Sequence, residues 1–422
     1  MEEIVINGGR RLHGSVTVKG SKNSILPILA ASILASEGTS VIHDVPRLSD
    51  VENLMEIIRH LGVSLVVDHE EKKVTVDATA MVRHDATLDC VSELRASLFL
   101  LGPILARFGN SEISQPGGCA IGIRPIDLHI KGLEAMGVRF DQSHGVIKGK
   151  VDRLMGAQIY LDFPSVGATE NLMMAASLAE GLTILENVAE EPEIVDLANF
   201  LNNMGAKISG AGTNVIRIRG VKSLKGTVHT VIPDRIEAGT YMIAAGAAGG
   251  NVLVENVIAD HLKPVIAKLK EAGVQVQEEE EGIRIISQGS RHCKGVYIKT
   301  MPYPGFPTDM QAQMLSMLLC ATTRSYVTET IFERRFQHIE EFRKMGADIV
   351  MAGNTVALTG VDRIYGTNVH ASDLRAGAAL IIAALYAEGE TRVGNVQYVD
   401  RGYDGLVENL AGLGADIRRV NR

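Results

Sequence analysis

The chain has 422 residues, 46% of them apolar and 22% charged, with a formal net charge of −8. That composition excludes a disordered or fibrous protein, the length exceeds one ordinary hydrophobic core, and the acidic balance excludes a general nucleic-acid binder. Cys90, Cys119, Cys293 and Cys320 stand far apart with no CxxC, no signal peptide follows Met1-Glu2-Glu3, and no apolar run approaches the roughly 18 residues of a membrane span. The reading is a cytoplasmic chain with reduced thiols and neither a zinc site nor a disulfide framework.

In chain order, two kinds of helix alternate. The first kind is nearly apolar in its second half and is predicted within 20–38, 92–109, 164–181, 233–250, 307–322 and 372–389. Helices of that composition are buried on most sides, and each opens on polar or N-capping residues. The second kind is amphipathic, stops at a glycine and runs into β-branched sequence: IIRHLGVSLVV (57–67), KGLEAMGVRF (131–140), NFLNNMGAKIS (199–209), AKLKEAGVQV (267–276), EEFRKMGADIV (340–350) and ENLAGLGADIRRV (408–420). Gly62, Gly137, Gly205, Gly273, Gly346 and Gly414 sit where a left-handed C′ residue is wanted, about 70 residues apart.

Six units therefore fill the chain, each reading strand, buried helix, strand, exposed amphipathic helix and a pair of strands. Solenoid repeats are shorter, about 20–45 residues. The expectation is an α/β (α+β) protein of two domains with three units each, buried helices inside and sheets outside. The boundary is expected near Pro233, with residues 1–20 joining the second domain as a strand that completes the sixth unit.

Lys22, Arg95, Arg235 and Arg375 fall in the opening turns of apolar helices, where the macrodipole disfavours a cation. A bound anion reverses that penalty. A nearby carboxylate explains any one of them, but the matched SELRAS and SDLRAG of units two and six favour an anion. A further stretch, QPGGCAIGIRPIDLHIKG (115–132), sets Cys119 among Gly117, Gly118 and Gly122, with Arg124, Asp127 and His129 downstream. So permissive a segment is not core.

These motifs, together with DFPSVGATEN, PDRIEAGTY, FPTDMQAQM, ETIFERRFQH and VDRGYDGL, carry a resemblance running essentially from end to end. The chain resembles the UDP-N-acetylglucosamine enolpyruvyl transferases of the EPSP synthase superfamily, and the cysteine loop is the most specific element of the likeness. The resemblance implies a two-domain inside-out α/β barrel, residues 21–233 carrying the cysteine loop and residues 1–20 plus 234–422 forming the second domain, with the active site in the cleft between them. It implies transfer of the enolpyruvyl group of phosphoenolpyruvate to the 3′-hydroxyl of UDP-N-acetylglucosamine, by addition and elimination through a tetrahedral intermediate, at the first committed step of peptidoglycan synthesis. No metal or organic cofactor is implied, nor nucleic acid or membrane insertion.

Adding an alcohol across an enol double bond needs one acid at the methylene carbon and one base at the hydroxyl. The resemblance makes Cys119 the acid, able also to form a covalent adduct and to be alkylated by fosfomycin, since cations lower a thiol pKa. It makes Asp309 the base at the sugar hydroxyl; a helix N-terminal carboxylate or one that only orients the hydroxyl are the other readings. Lys22, Arg124 and Arg401 are implied around phosphoenolpyruvate, with Arg95 and Arg375 in the same charged cleft, because arginine forks suit both oxyanions. Asn23 is carried over as a sugar contact. Arg124, Pro125, Ile126, Asp127 and Leu128, with Ser165, Val166 and Gly167, correspond to uridine and diphosphate contacts, although Ser165 to Gly167 also suit a plain helix cap. Ile331 corresponds to a backbone contact with the sugar and Arg335 to a phosphate-facing arginine. Gly402 is expected to permit a tight turn beside Arg401.

The run Glu278 to Glu281 reads as a solvated hairpin tip and Glu190 to Glu193 as an acidic helix start. Two rival activities stay in view: enolpyruvyl transfer to shikimate 3-phosphate, against which Cys119 and SVGAT count, and a non-catalytic nucleotide-sugar-binding paralogue, against which Lys22, Cys119, Asp309 and Arg401 count.

Overall fold

The computed structural model describes residues 2–86, 95–114, 126–143 and 145–421, with no side-chain description of 95–97. Cys90, Cys119, Arg124 and Pro125, and the side chain of Arg95, lie outside the described residues. Two compact units divide the rest: one drawn from 20–232, the other from 2–19 with 233–421.

Among the described residues six four-stranded sheets repeat one topology, three in each unit. In the third repeat, Gln158–Tyr160 lies parallel to Leu182–Glu186, which is antiparallel to Val215–Arg219, which in turn is antiparallel to Lys207–Ser209. Strand alternation explains why each sheet has one apolar face: Ile216 and Ile218 are fully buried while Arg217 and Arg219 point outward. The N-terminal segment forms two strands rather than the single one expected. Glu2–Asn7 enters the last repeat between Glu390–Gly394 and Asp416–Asn421, and Leu12–Thr17 lies parallel to Gly250–Glu255 of the fourth. Symmetrically, Val228–Thr230 returns to lie parallel to Ser40–His43 of the first repeat.

Each unit packs its three apolar helices into its own core. Lys22–Ser32, Leu101–Phe108 and Val166–Ala176 supply one, with Ile25, Leu29, Leu101 and Leu172 fully buried. Arg235–Ala248, Gln311–Met317 and Leu374–Ala384 supply the other, with Met242, Met314 and Ile381 fully buried. The amphipathic helices end as the sequence requires. All six stop glycines have φ between +89° and +108°. Their N–H groups bond the carbonyl three residues back while the next residue's N–H bonds the one five back, as with Gly273 to Lys270 (3.0 Å) and Val274 to Leu269 (3.0 Å). That is the Schellman pairing, which leaves few orphan carbonyls at the helix end.

Two buried helices are broken where the sequence predicts continuity. A 3₁₀ segment, Arg95–Leu100, precedes Leu101–Phe108, and another, Thr308–Met310, precedes Gln311–Met317. The first break has a visible cause. Pro103 lacks the N–H that would bond Phe99, and the Asn171 side chain takes over, accepting the Gly102 N–H (2.6 Å) and donating to the Leu98 carbonyl (2.6 Å). Side-chain caps form at Ser165, Asp234 and Asp373 but not at Ser21. Glu280 and Glu281 form the turn between Gln275–Glu279 and Gly282–Ser287, and Glu193 lies in the first turn of Pro192–Asn203. Among the described residues no helix is long and apolar enough to cross a membrane.

Candidate functional site

The candidate residues gather in two described clusters, one in each unit. In the first unit Lys22 opens the helix Lys22–Ser32 and is 9% exposed. Its Nζ lies 2.6 Å from Oδ2 of Asp50, itself in the first turn of Ser49–His60. A carboxylate thus offsets the unfavourable placement of this cation against the helix dipole. Asn23, half-buried, follows. Pro27, four residues on, has no N–H to give to the Asn23 carbonyl, so that oxygen lacks its usual helical donor. Ser24 is anchored from behind: its Oγ donates to Asp196 Oδ2, and Asp196 Oδ1 pairs with Nε2 of His229 at 2.9 Å.

Ser165 caps Val166–Ala176, accepting the Ala168 N–H at 3.3 Å, so the helix-cap reading of this residue is realised. Gly167 lies against the His129 ring, which a Cβ would meet at 3.4 Å. His129 is buried, with Nδ1 3.1 Å from Asn171 Nδ2. Ile126 occupies the N-cap position of Asp127–Ala135, where Asp127 is exposed and Leu128 half-buried.

In the second unit three candidates meet. Asp309 Oδ1 accepts from Arg335 Nη2 at 2.8 Å and Oδ2 from Arg375 Nη2 at 3.0 Å. The side chains are 3% exposed for Arg335 and 5% for Arg375, against 27% for Asp309, so one partly exposed carboxylate serves two buried guanidiniums. Burial works against the Arg375 charge, but Asp309, Tyr403 and Asp234 more than reverse it and hold its pKa above the ordinary value. Its guanidinium lies 5.5 Å from the Tyr403 ring centroid. Gln313 ties the group together, donating from Nε2 to the Asp309 carbonyl (2.7 Å) and reaching Tyr403 Oη (3.3 Å). Arg401, half-buried, ends the 3₁₀ turn Val396–Arg401. Gly402 lies in the tight turn expected there, with φ −149°, and its lack of a side chain serves close packing: a Cβ would meet Leu374 Cδ2 at 2.6 Å. The positive φ of this segment belongs to Gly405, at +78°. Arg235 stacks over the Tyr303 ring at 5.6 Å.

Glu329 escaped the sequence reading. It is 3% exposed and accepts from Thr300 Oγ1 (2.9 Å), Thr308 Oγ1 (2.9 Å), the Ile331 N–H (2.7 Å) and the Phe332 N–H (3.2 Å). One buried carboxylate therefore fixes both the residue before Asp309 and the backbone at Ile331. Threonine flanking it in TET is the only local signal, and that is too common to single it out. His338, 1% exposed between the rings of Phe336 and Phe342, is pushed down to about 4 chiefly by burial, with Arg335 adding to that and Asp373 opposing it. It stays neutral beside Arg335. Among the described residues no group of three or more His, Cys, Asp or Glu is placed to hold a metal ion.

The family described as EPSP synthase (3-phosphoshikimate 1-carboxyvinyltransferase) matches residues 6–410. The chain is 56% identical over 421 residues to UDP-N-acetylglucosamine 1-carboxyvinyltransferase 1 of Halalkalibacterium halodurans, covering 100% of this chain and 95% of the relative. In structure it is similar to the enolpyruvyl transferase NikO of Streptomyces tendae, with a TM-score of 0.90, 27% identity and 100% and 99% of the two chains covered. EPSP synthase of Acinetobacter baumannii, at a TM-score of 0.76, 20% identity and 100% of both chains, shares the fold.

Proposed function

Because the chain belongs to the EPSP synthase family of enolpyruvyl transferases, we propose that its reaction is the transfer of the enolpyruvyl group of phosphoenolpyruvate to the 3′-hydroxyl of UDP-N-acetylglucosamine, with release of phosphate. The observation that carries this reading is the identity, along the whole chain, with the Halalkalibacterium halodurans enzyme of that name. The sugar hydroxyl adds to the central carbon of phosphoenolpyruvate while a proton is delivered to its methylene carbon. The tetrahedral intermediate then loses phosphate and returns a proton from the new methyl group. Cys119 is the acid at the methylene carbon. Asp309 is the group at the hydroxyl, and a carboxylate gripped by two guanidiniums yet partly exposed suits orienting that hydroxyl as well as taking its proton. Lys22, Arg124 and Arg401, with Arg95, Arg335 and Arg375, neutralise the carboxylate and phosphates of the two substrates. Asn23 and the backbone at Ile331 hold the sugar, and Ile126 to Leu128 with Ser165 to Gly167 the nucleotide.

The reaction belongs to the cytoplasm and to cell-wall synthesis. Purified protein given phosphoenolpyruvate should release phosphate with UDP-N-acetylglucosamine and not with shikimate 3-phosphate. Release with the second acceptor alone, or with neither, overturns the assignment. Fosfomycin, whose phosphonate resembles the phosphoenolpyruvate anion, should alkylate Cys119 and no other thiol, which peptide mass analysis reads directly. Cys119→Asp should lose that adduct and keep some turnover.

A further inference from the structure

Among the described residues the chain passes between its two units twice, after Lys19 and after Ile232. Next to each passage the backbone is paired within its own unit. The Asp234 N–H donates to the Lys19 carbonyl (2.9 Å), and the Ser21 N–H donates to the Ile232 carbonyl (2.8 Å). Gly20 leaves no room for adjustment by a side chain, since a Cβ there would lie 1.9 Å from the Asp44 carbonyl oxygen. Each passage is also backed by a buried carboxylate. Asp196 Oδ2 accepts the Ile232 N–H at 3.3 Å, and Glu237 Oε2 accepts the Lys19 N–H at 3.0 Å.

The two carboxylates are not equivalent. Asp196 is held by three donors: the Ser24 hydroxyl, the Ile232 N–H and His229 Nε2. Glu237, 4% exposed in the first turn of Arg235–Ala248, has two bonds, the second from Tyr241 Oη to Oε1 at 3.1 Å. Tyr241 Oη itself accepts from Asn409 Nδ2 at 2.7 Å. We propose that Glu237 is a proton-operated clamp on the passage at Lys19, gripping that backbone tightly when ionised and loosely when protonated.

The groups that face Glu237 decide where it switches. Burial comes first and Asp234 second in pushing the carboxyl up, while the Lys19 N–H, the Tyr241 hydroxyl and the Lys19 ammonium pull it down; the balance stands at about 7. Lys19 is only a partial counter-charge, because its Nζ is committed to Asp404, to the carbonyl at 2.7 Å and to Oδ1 at 3.0 Å. Burial first and the Glu237 charge second push the Tyr241 phenol well above its ordinary value, with Tyr403 adding to that, so Tyr241 stays a neutral donor throughout. Above the switch a carboxylate accepts the Lys19 N–H. Below it a solvent proton sits on the carboxyl, and the same N–H meets a neutral acceptor, a bond about half as strong. Through Lys19 and Asp404 the clamp also reaches the segment that carries Arg401, three residues before Asp404.

The test needs no substrate, so it is independent of the reaction proposed above. Hydrogen exchange of the Lys19 amide is followed in the full chain from pH 5.5 to 8.5, corrected for the intrinsic pH dependence of exchange. Protection should rise roughly 3- to 10-fold with a midpoint near neutrality. Glu237→Gln should flatten the profile at the lower level. Tyr241→Phe, which removes a donor to the carboxylate, should move the midpoint upward. Wild-type protection that does not change with pH, or an unchanged profile in Glu237→Gln, overturns the proposal. If Glu237→Gln fails to fold, the carboxyl carbon of Glu237 titrated in the wild-type chain decides instead: a midpoint in the ordinary carboxylate range sinks it.

Discussion

Replacing Asp309 by alanine strands two guanidiniums that are almost wholly out of water, at 3% and 5% side-chain exposure. Each loses a charge-assisted hydrogen bond, about 1.5–3 kcal/mol apiece. The total agrees with the roughly 3–5 kcal/mol for breaking a buried pair by removing one partner. The ring contacts of Arg375 with Tyr403 at 5.5 Å and of Arg335 with Phe332 at 5.7 Å remain in the variant and keep both guanidiniums in place. The 27% exposure of Asp309 lets water return part of the loss. We therefore expect a loss of about 3 kcal/mol, or roughly 6–12 °C in a unit of this size. The assay is urea and thermal unfolding followed by circular dichroism, run beside phosphate release on the same preparations. Turnover should fall by about 10²–10⁴. The sharper reading is the double variant with Arg375→Met. Because Asp309 bridges both arginines, the two losses should fall short of additive by about 1–3 kcal/mol. Additivity to within about 0.5 kcal/mol would refute the shared-carboxylate argument, and full turnover by Asp309→Ala would separately remove Asp309 from the chemistry.

Glu170 is 1% exposed, both its carboxyl oxygens lack hydrogen-bond partners among the described residues, and burial first, then Glu193 and Glu191, hold its pKa well above the ordinary value. A raised folded pKa contributes stability that is complete below the unfolded value near 4.5 and is lost as pH rises toward the folded one. Glu170→Gln should thus raise the unfolding free energy from urea titration at pH 8, by about 1–3 kcal/mol, and leave it nearly unchanged at pH 4. Cys293 and Cys320 are buried thiols pushed up to about 11 by desolvation, so at pH 8 only about one in a thousand is thiolate. Iodoacetamide should label them only after unfolding, as peptide mass analysis will show. Gly273, at φ +89° with open space where a Cβ would stand, should cost about 1 kcal/mol when changed to alanine. Gly360, where a Cβ would stand 1.8 Å from the Ala321 carbonyl oxygen, should cost several times more in the same urea titration.

The repeat is legible in the residues because its marks are local. A glycine after an amphipathic run makes the same left-handed stop wherever the helix lies, and six of six do so. Wholly apolar helix faces such as GAALIIAA can only be buried, and Arg375 to Ala384 are buried throughout. The candidate residues are legible differently, through motif resemblance, which singles out Lys22, Asp309, Arg335 and Arg375 without any geometry. Their partners are not. Asp50, 28 positions from Lys22, and Glu329, which bonds Thr300, Thr308 and Ile331, carry no periodic signature. Neither does Asn171, which supports a helix break 69 residues away, nor Glu237, whose bond to Lys19 spans 218. Helix and strand preference are properties of neighbouring residues, so they survive in a one-dimensional reading. Hydrogen bonds among buried polar groups depend on which distant segments packing brings within about 3 Å, and only the folded chain decides that.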